Sequence, residues 1–384
     1  MSRTKVLVVF GTRPEATKMA PLVLALKQRT DVFTTAVCVT AQHREMLDQV
    51  LHTFAIQPDF DLNLMQPRQT LSDISRMILE KMSPVIESFA PDIILVHGDT
   101  MTTFMGALLA FFHQIRIGHV EAGLRTYDKF QPYPEEMTRQ LTARLADYHF
   151  APTSANCANL VAERVPAENI FITGNTAIDA IRATVRPDYT FQNEVAAARV
   201  ASGRPIITVT AHRRENLGDP MHQIALGLKD VAVQHPELDL LYPVHLNPAV
   251  RDQVYPVLEG LSNVYLTDPL EMIDMHNLMA RSVLVLTDSG GLQEEAPALN
   301  KPVLVMRDVT ERQEAEEAGT VLLVGPHRER IVAETNRLLS NEVAYQHMAN
   351  AKNPFGDGYA AERIVQALCY CFGYTSIRPE DYKA

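Results

Sequence analysis

Acidic residues follow two neighbouring apolar runs of the sequence, where strands are expected to end. The stretch 97–100, His-Gly-Asp-Thr, comes directly after apolar Ile93–Val96, and Glu121 follows the next such run. A third acidic residue, Glu135, lies a short distance further along the chain. Because ligands bind outside the carboxyl ends of strands in an open parallel sheet, we expect Asp99, Glu121 and Glu135 to meet in one crevice. Several carboxylates in one crevice indicate proton-transfer chemistry.

Each carboxylate also has a simpler structural interpretation. Asp99 belongs to a residue type favoured at helix N-caps, and it could cap the helix that follows it. Glu121 could pair with Arg125, and Glu135 could pair with Arg139 four residues later on a helix. The shared position of all three acidic residues at strand ends favours the chemical interpretation.

The alternation of strand-like and helical patterns along the chain predicts the fold class. Apolar runs such as Val6–Phe10 are followed by helical patterns throughout the 384 residues. This alternation predicts an α/β protein with two doubly wound, Rossmann-like domains whose parallel sheets are covered on both faces. We expect domains at 1–173 and 174–357, with the active site in the interdomain cleft. The segment 358–384 is expected to form a helix that packs back on the first domain.

Composition and charge exclude several classes of partner and location. The net charge is −11 and no long basic run is present, which argues against nucleic acid or an anionic membrane as the main partner. The four cysteines form no C-x-x-C motif, which predicts neither a disulfide framework nor a zinc site. The first residues pass directly into a strand, and no long uninterrupted apolar stretch follows. These features predict a cytoplasmic protein.

A glycine-containing turn in the second half of the chain predicts a phosphate site. The stretch 287–295, T-D-S-G-G-L-Q-E-E, directly follows a strand-like run. The N–H groups of Ser289, Gly290 and Gly291 would lie at a helix N-terminus, which favours a phosphate. Glu295 lies about two turns on, where a carboxylate can accept hydrogen bonds from ribose hydroxyls. A tight strand–helix turn with a polar helix face is the alternative interpretation.

Basic residues follow other predicted strands. His212 and Arg213 come after one strand of the second half, and Arg13 and Lys18 come after the first strand of the chain. Arg312 belongs to a further charged loop. A solvated surface position is the alternative for each. Together with the acidic residues, these side chains suit a nucleotide-diphosphate sugar, and the same arrangement would suit a glycosyltransferase.

Several common motifs are absent from the sequence. It contains neither G-x-G-x-x-G nor G-x-x-x-x-G-K-[ST], and no Tyr is followed four residues later by Lys. These absences argue against a dinucleotide fingerprint, a Walker-type loop and short-chain oxidoreductase chemistry. His97, His119 and His245 also end strands, but they show no regular ligand spacing, so no metal site is predicted.

Ordered motifs across nearly the whole chain resemble the bacterial non-hydrolysing UDP-N-acetylglucosamine 2-epimerases. The matching stretches are G-T-R-P-E-A at 11–16, T-A-Q-H-R-E-M-L-D-Q-V-L at 40–51, H-G-D-T at 97–100, H-V-E-A-G-L-R-T at 119–126, P-E-E at 134–136, F-I-T-G-N-T at 171–176, H-R-R-E at 212–215, P-V-H-L-N-P at 243–248, T-D-S-G-G-L-Q-E-E-A-P at 287–297 and K-P-V-L-V-M-R at 301–307.

The resemblance implies a fold, an activity and partners. It implies a glycosyltransferase-B-like fold, a homodimer, and catalysis without a metal or another cofactor. The implied reaction interconverts UDP-GlcNAc and UDP-ManNAc through 2-acetamidoglucal and UDP, and it supplies UDP-ManNAc for cell-surface polysaccharide synthesis. A hydrolysing relative that releases ManNAc and UDP, a glycosyltransferase and a non-catalytic UDP-sugar sensor are the alternatives.

The resemblance also assigns roles to residues by motif match. Catalytic roles fall to Asp99, Glu121, Glu135 and His212. Substrate and UDP binding fall to Arg13, Lys18, Arg139, His245, Ser289, Gly290, Gly291, Glu295 and Arg312. A second UDP-GlcNAc, bound as an allosteric activator, would contact Gln42, Arg68, His212, Arg213 and Glu215. The chain departs from the common pattern at Tyr133 and Gln313, where relatives commonly have Trp and Pro, and these two positions bear on the choice of sugar.

Overall fold

The chain divides into two compact α/β units. The computed structural model describes residues 3–41, 44–66 and 68–384, with the side chains of 44–46 outside this description. Unit 1 comprises Met1–Ala180 and Phe355–Lys383, and unit 2 comprises Ile181–Pro354. The predicted limits at 173/174 and 357/358 differ from these by a few residues. The first limit falls later than predicted because the boundary lies within the helix Thr176–Thr184.

Unit 1 is built on a seven-stranded parallel sheet. Its strand order is β3-β2-β1-β4-β5-β6-β7. The central strands consist of apolar, largely β-branched residues, a composition typical of strands covered on both faces. The strands are β1 Thr4–Phe10, β2 Phe33–Val39, β3 Phe60–Asp61, β4 Ile93–His97, β5 Arg116–Val120, β6 Tyr148–Ala151 and β7 Ile170–Ile172.

Helices follow the strands of unit 1 and cover both faces of the sheet. Their apolar sides form a core with the sheet that includes Leu7, Ile78, Met82 and Val96. The helices are α1 Arg13–Gln28, α2 Arg44–Thr53, α3 Leu71–Phe89, α4 Met101–Phe112, α5 Glu135–Leu145, α6 Ser154–Ala162 and α7 Thr176–Thr184.

The strand order of unit 1 reverses between β1 and β4, which determines where its functional loops lie. β1 pairs in parallel with both β2 and β4, so the loops after β1 and β4 diverge to opposite faces of the sheet. Such a reversal opens a crevice at the carboxyl edge of the sheet. Gly11 ends β1 at this edge, and a Cβ there would lie 1.9 Å from Thr40 Oγ1 and 2.6 Å from Thr102 Oγ1. Only glycine permits this close approach.

Unit 2 repeats the architecture with six parallel strands. Their order is β10-β9-β8-β11-β12-β13, with the reversal between β8 and β11. The strands are β8 Ile206–Thr210, β9 Asp239–Pro243, β10 Val264–Thr267, β11 Leu284–Thr287, β12 Val303–Val305 and β13 Val321–Leu323. The helices are α8 Glu194–Ala201, α9 Asp219–Gln234, α10 Pro248–Leu258, α11 Met272–Arg281, α12 Gly290–Glu295, α13 Gln313–Glu317, α14 Arg328–Ser340 and α15 Glu342–Ala349. The predicted fold class, two doubly wound parallel-sheet domains, is confirmed.

The C-terminal segment of the chain belongs to unit 1. Helix α16, Ala360–Cys371, packs against α1. The carboxylate of Asp179 accepts hydrogen bonds from Ala360 N at 3.1 Å and from Ala361 N at 2.7 Å, which satisfies two of the first N–H groups of the helix. Tyr382 N then donates to Ile172 O at 2.7 Å, so the last residues cover the edge strand β7.

The strands predicted from the apolar runs Val6–Phe10 and Ile93–Val96 match β1 and β4 to within two residues. β3 was not predicted, because two residues are too few to show a pattern. Helix α12 begins at Gly290, which agrees with the predicted helix N-terminus at residues 289–291. Within the described ranges, none of the helices has the length and apolar character needed to cross a membrane.

Candidate active site

Asp99 lies in the turn between β4 and α4, with its side chain about 30% exposed. Thr100 is the N-cap of α4, and its hydroxyl accepts a hydrogen bond from Thr103 N at 3.2 Å, so the alternative role of Asp99 as helix cap is wrong. The Asp99 carboxylate instead accepts a hydrogen bond from Arg139 Nη2 at 2.7 Å. Thr138 Oγ1 donates to the main-chain oxygen of Asp99. Helix α5 therefore fixes both the main chain and the side chain of this residue.

Burial and neighbouring charges act in opposite directions on Asp99. Burial is the largest influence and raises the pKa of this carboxyl, and the charge of Glu121 raises it further. Arg139 and Lys18 lower the pKa, but the net shift is upward. A carboxyl group with a raised pKa can accept a proton and hold it closer to neutral pH than an exposed aspartate can.

Glu121 follows β5 and is held by two basic side chains. Lys18 Nζ donates to Oε1 at 2.8 Å and to Oε2 at 2.6 Å. His97 Nε2 lies 2.7 Å from Oε2. Burial by itself would raise the pKa of Glu121, but Lys18 and His97 together lower it well below its usual value. Glu121 is therefore held as a carboxylate, whereas the pKa of the Asp99 carboxyl is shifted upwards.

The two arginines near these acids do not make the pairs that their spacing suggested. Arg125 donates from Nε and Nη2 to the two carboxylate oxygens of Glu163, at 2.7 and 2.9 Å, so the alternative pairing with Glu121 is wrong. Arg139 contacts Asp99 and, at 3.4 Å, the carboxylate of Glu136. The alternative in which Arg139 pairs with Glu135 is also wrong.

Glu135 and Glu136 differ sharply although they are adjacent in the first turn of α5. The Glu136 carboxylate is fully buried and accepts hydrogen bonds from Thr126 N at 3.0 Å and from Tyr127 N at 3.1 Å. It therefore anchors the loop after β5. The Glu135 side chain is half-buried and makes no hydrogen bond or ion pair with another described residue, which leaves it available to a ligand.

Glu15 is a second buried carboxylate that anchors loops, and it was not among the residues predicted from the sequence. Its Oε2 accepts hydrogen bonds from Gly11 N at 3.0 Å and from Thr12 N at 2.8 Å. Its Oε1 accepts one from Thr100 Oγ1 at 2.6 Å, which ties the loop after β1 to the loop after β4. The signal was present as the T-x-x-E capping box of α1.

His119 supports the turn that carries Asp99. The ring is fully buried in β5, and burial lowers its pKa to about 3. The ring is thus neutral at pH 7. Its Nε2 lies 2.7 Å from Gly98 O, and since a carbonyl only accepts, the histidine donates this hydrogen bond.

In unit 2, the loops after β8 and β11 meet at Asp288. Asp288 Oδ2 accepts hydrogen bonds from His212 N and Arg213 N, each at 2.8 Å. Asn216 Nδ2 donates to the same oxygen at 3.0 Å. His212 and Arg213 are thereby fixed beside the glycines of the β11–α12 turn.

Two arginines lie over Gly290, the first residue of α12. A Cβ on Gly290 would lie 3.3 Å from Arg213 Nη2 and 3.4 Å from Arg312 Cζ, so the guanidinium groups approach the main chain closely. Arg312 is held by Glu294, with Nε 2.8 Å from Oε1. The predicted cradle needs one correction, since Ser289 N donates to Thr287 Oγ1 at 2.9 Å and is not available. Gly290 and Gly291 keep the amides that begin the helix.

The other predicted binding residues of unit 2 lie in the loops and short helices that follow its strands. His245 stacks on His212, with ring centroids 5.2 Å apart and an interplanar angle of 14°. Glu295 is half-buried, and its Oε2 lies 3.6 Å from His276 Nε2. Glu215 lies 2.8 Å from Arg307 Nε through its Oε1.

The remaining predicted residues lie in unit 1. Arg13 is exposed at the first position of α1, beside the loop that ends β1. Arg68 is exposed, with a φ of 59°. Lys18, predicted to bind the diphosphate, binds the Glu121 carboxylate in this structure. Gln42 lies outside the described residues.

Comparison with known proteins identifies the family of this chain. The family model described as UDP-N-acetylglucosamine 2-epimerase matches residues 25–369. The chain belongs to the UDP-N-acetylglucosamine 2-epimerase family. The resemblance inferred from the sequence motifs is therefore confirmed.

Relatives in this 2-epimerase family match the chain along nearly its whole length. The UDP-N-acetylglucosamine 2-epimerase of Bacillus subtilis is 50% identical over 382 residues, covering 100% of this chain and 99% of the relative. A solved S. aureus MnaA–UDP complex is 45% identical with a TM-score of 0.87, covering 99% of this chain and 100% of that one. The UDP-GlcNAc 2-epimerase of Neisseria meningitidis bound to UDP-GlcNAc is 45% identical with a TM-score of 0.83, covering 95% and 99%.

The Lys18–Glu121 pair in this 2-epimerase predicts a measurable effect of pH on stability. In Lys18→Met, Glu121 loses its main cationic partner, so its pKa rises and the protein is destabilised at neutral pH by roughly 3 kcal/mol. In the wild type, the lowered pKa of Glu121 stabilises the folded protein at every pH above the pKa that Glu121 has in the unfolded chain. This stabilisation is lost as the pH falls through the pKa of Glu121 in the folded protein. In the variant the two pKa values are closer, so this contribution to the free energy of unfolding is smaller. Urea unfolding at a series of pH values should therefore show a weaker loss on acidification.

Lys27→Met provides the control for this prediction. Lys27 lies on the same helix, is exposed, and makes no ion pair within the described part of the chain. Its removal should leave the pH dependence of the free energy of unfolding at the wild-type value. Equal pH dependence in the two variants would show that Lys18 does not control the charge of Glu121.

Proposed function

We propose that this protein is a non-hydrolysing 2-epimerase that interconverts UDP-GlcNAc and UDP-ManNAc. The observation that carries the proposal is the contrast between Asp99 and Glu121, whose surroundings shift their pKa values in opposite directions at one edge of one sheet. Carboxyl groups separated in this way can divide proton transfer and charge stabilisation between them. Family membership supplies the UDP-sugar on which they act.

The chemistry requires an elimination followed by an addition. The C2 proton of the sugar is not next to a carbonyl, so it is barely acidic until the C1–O bond to UDP weakens. Cleavage of that bond leaves its electron pair on UDP, and the C2–H pair then forms the C1–C2 double bond of 2-acetamidoglucal. Return of UDP to C1 and of a proton to the other face of C2 gives the epimer.

The carboxylates of unit 1 suit distinct roles in this sequence. Asp99, with its raised pKa, receives or returns a C2 proton. Glu121, kept ionised by Lys18 and His97, stabilises positive charge at C1 as UDP departs. Glu135 supplies the second proton-transfer group, on the other face of C2. Arg139 orients Asp99 and limits the rise of its pKa.

Side chains of unit 2 would hold the departing UDP. The amides of Gly290 and Gly291 and the guanidinium groups of Arg213 and Arg312 provide donors for the diphosphate. His212 lies beside them and adds a further donor. In the proposal Glu295 binds the ribose. Arg13, His245 and the hydroxyl group of Ser289, whose main-chain N–H is already used, make additional contacts to the diphosphate or the uridine.

Proton NMR in heavy water tests the proposed reaction directly. Purified protein with UDP-GlcNAc should yield UDP-ManNAc that carries deuterium at C2, because the abstracted proton exchanges with solvent. Free ManNAc with accumulating UDP would identify the hydrolysing reaction instead. UDP release only on addition of an acceptor would indicate a glycosyltransferase, and saturable binding without turnover would indicate a sensor.

Conservative variants test the role of each carboxylate in the same NMR assay. Asp99→Asn and Glu135→Gln keep the size of each side chain but cannot carry the proton, so exchange and epimerisation should each fall by about 10²- to 10⁴-fold. Glu87→Gln, which removes an exposed carboxylate of α3 that makes no ion pair with another described residue, controls for the loss of charge alone. Unchanged exchange in both Asp99→Asn and Glu135→Gln would contradict the proposed roles.

The phosphate loop is tested with a pair of adjacent glycines. In Gly290→Ala the new methyl group meets Glu311 Oε1 at 2.9 Å and displaces the nearby guanidinium groups of Arg213 and Arg312. UDP affinity measured by calorimetry should fall by at least roughly tenfold, the value of one charge-assisted hydrogen bond. In Gly291→Ala the methyl group meets only Glu295 Oε1 at 3.7 Å, so the loss should be smaller. A reversed order would place the diphosphate elsewhere.

Three further features belong to the proposal. The protein acts as a homodimer, which light scattering at a series of concentrations tests. A second UDP-GlcNAc activates it through residues Gln42, Arg68, His212, Arg213 and Glu215, so initial rates should depend sigmoidally on substrate concentration, and hyperbolic rates would exclude activation. The product serves cell-surface polysaccharide synthesis, and an unchanged polymer after loss of the gene would contradict this.

A further inference from the structure

Asp288 is a residue of unit 2 whose carboxylate makes hydrogen bonds through only one of its two oxygens. It directly follows β11, and its side chain is fully buried. Oδ2 accepts three hydrogen bonds, from the main-chain N–H groups of His212 and Arg213 and from the side chain of Asn216. These bonds account for one of its two oxygens.

The other oxygen, Oδ1, is buried and has no hydrogen-bond donor among the described residues. A buried carboxylate oxygen without a donor is unfavourable, so native structures rarely keep one without a role. The nitrogen that faces it is His212 Nδ1, at 3.8 Å. A small rotation of the imidazole brings this nitrogen within hydrogen-bond distance.

Most groups around the His212 ring lower its pKa, and Asp288 acts in the opposite direction. Burial lowers the pKa of His212 most, and the stacked His245 and the adjacent Arg213 lower it further. Asp288 raises it, but the net shift in the ligand-free protein is downward, and a bound diphosphate would add a second negative charge beside the ring. His245 Nδ1 accepts a hydrogen bond from Asn247 N at 3.1 Å, which fixes the orientation of the stacked ring. The Tyr242 hydroxyl, which donates to Ala211 O at 2.9 Å, is neutral.

We propose that Asp288 is a positioning residue that favours the imidazolium form of His212 when the diphosphate is bound, with Nδ1–H donated to Asp288 Oδ1 and Nε2–H directed to the diphosphate. This inference rests on the proposed function, because it gives the charged ring a departing UDP to stabilise. No proton needs to leave the ring, since its positive charge and its Nε2–H donor both act on the phosphate oxygens. The same carboxylate fixes the main chain of His212 and the charge of its ring.

The carboxamide in Asp288→Asn separates the two functions of this side chain. Its oxygen can replace Oδ2 and accept the same three hydrogen bonds, so the loops keep their anchor. Its NH₂ group then faces His212 Nδ1 and can donate only to a lone pair, which requires the neutral Nε2–H tautomer. The variant therefore removes the positive charge from the ring while retaining the loop geometry.

Histidine NMR titration of the ligand-free protein measures the expected effect. His212 is assigned by comparison with His212→Gln. In Asp288→Asn its pKa should fall by about one unit or more, which corresponds to at least a tenfold weaker preference for the imidazolium. Asn216→Ala also removes a partner of Asp288 but leaves the charge, so it should lower the melting temperature without this shift. An unchanged His212 titration in Asp288→Asn would overturn the proposal.

Turnover of UDP-GlcNAc supplies a second measurement. Because only the imidazolium acts, the alkaline limb of the kcat profile should move to lower pH in Asp288→Asn, and the rate should approach the wild-type value at acidic pH. A loss of equal size at every pH would indicate a merely structural role. If the wild type does not epimerise, the proposed function fails, whereas the NMR titration still decides whether Asp288 controls the charge of His212.

If Asp288→Asn does not fold, the pH dependence of UDP binding by the wild type tests the proposal instead. Calorimetry should show weaker UDP binding as pH rises through the titration of His212. His212→Gln should lack this component of the pH dependence. Identical pH dependence in wild type and His212→Gln would overturn the proposal.

Discussion

Buried carboxylates that accept main-chain N–H groups fix the loops at the carboxyl edges of both sheets. Glu15 and Glu136 do so in unit 1, and Asp288 does so in unit 2. A loop that leaves a parallel strand has N–H groups that no neighbouring strand can satisfy, and a charged acceptor supplies stronger hydrogen bonds than a neutral one. Each such bond contributes about 1.5–3 kcal/mol. The positions of the ligand-facing side chains depend on these three anchors.

The anchors explain why neighbouring acidic residues have different tasks. The carboxylate of Glu136 binds the main chain of the β5–α5 loop, whereas the side chain of Glu135, one residue earlier, makes no hydrogen bond with another described residue. Glu121 adopts a φ of 62°, a left-handed conformation that turns its side chain towards Lys18 and His97. Some carboxylates therefore hold loops, and others stay available for chemistry. The local main-chain conformation decides which of the two roles each carboxylate has.

The sequence predicted the strand ends well but not the partners of the charged residues. Alternation of apolar runs and helical patterns locates strands because burial on two faces demands apolar residues throughout. It therefore placed Asp99, Glu121 and the 287–295 turn at one edge of their sheets. Lys18 and Glu121 are separated by 103 residues, and Arg125 and Glu163 by 38, so no local pattern reports these pairs. Nor does spacing show which of Glu135 and Glu136 is buried, since both lie in one helical turn.

The C-terminal segment returns to unit 1, and this affects the order in which the two units can fold during synthesis. Unit 2 has all of its residues before unit 1 does. Unit 2 is one continuous stretch, 181–354, and all of it is present before residues 355–383 have been made. Unit 1 emerges first, yet it lacks α16 and the strand-edge cover over Ile172 until synthesis is almost finished. The half translated first is thus the last to close its own core.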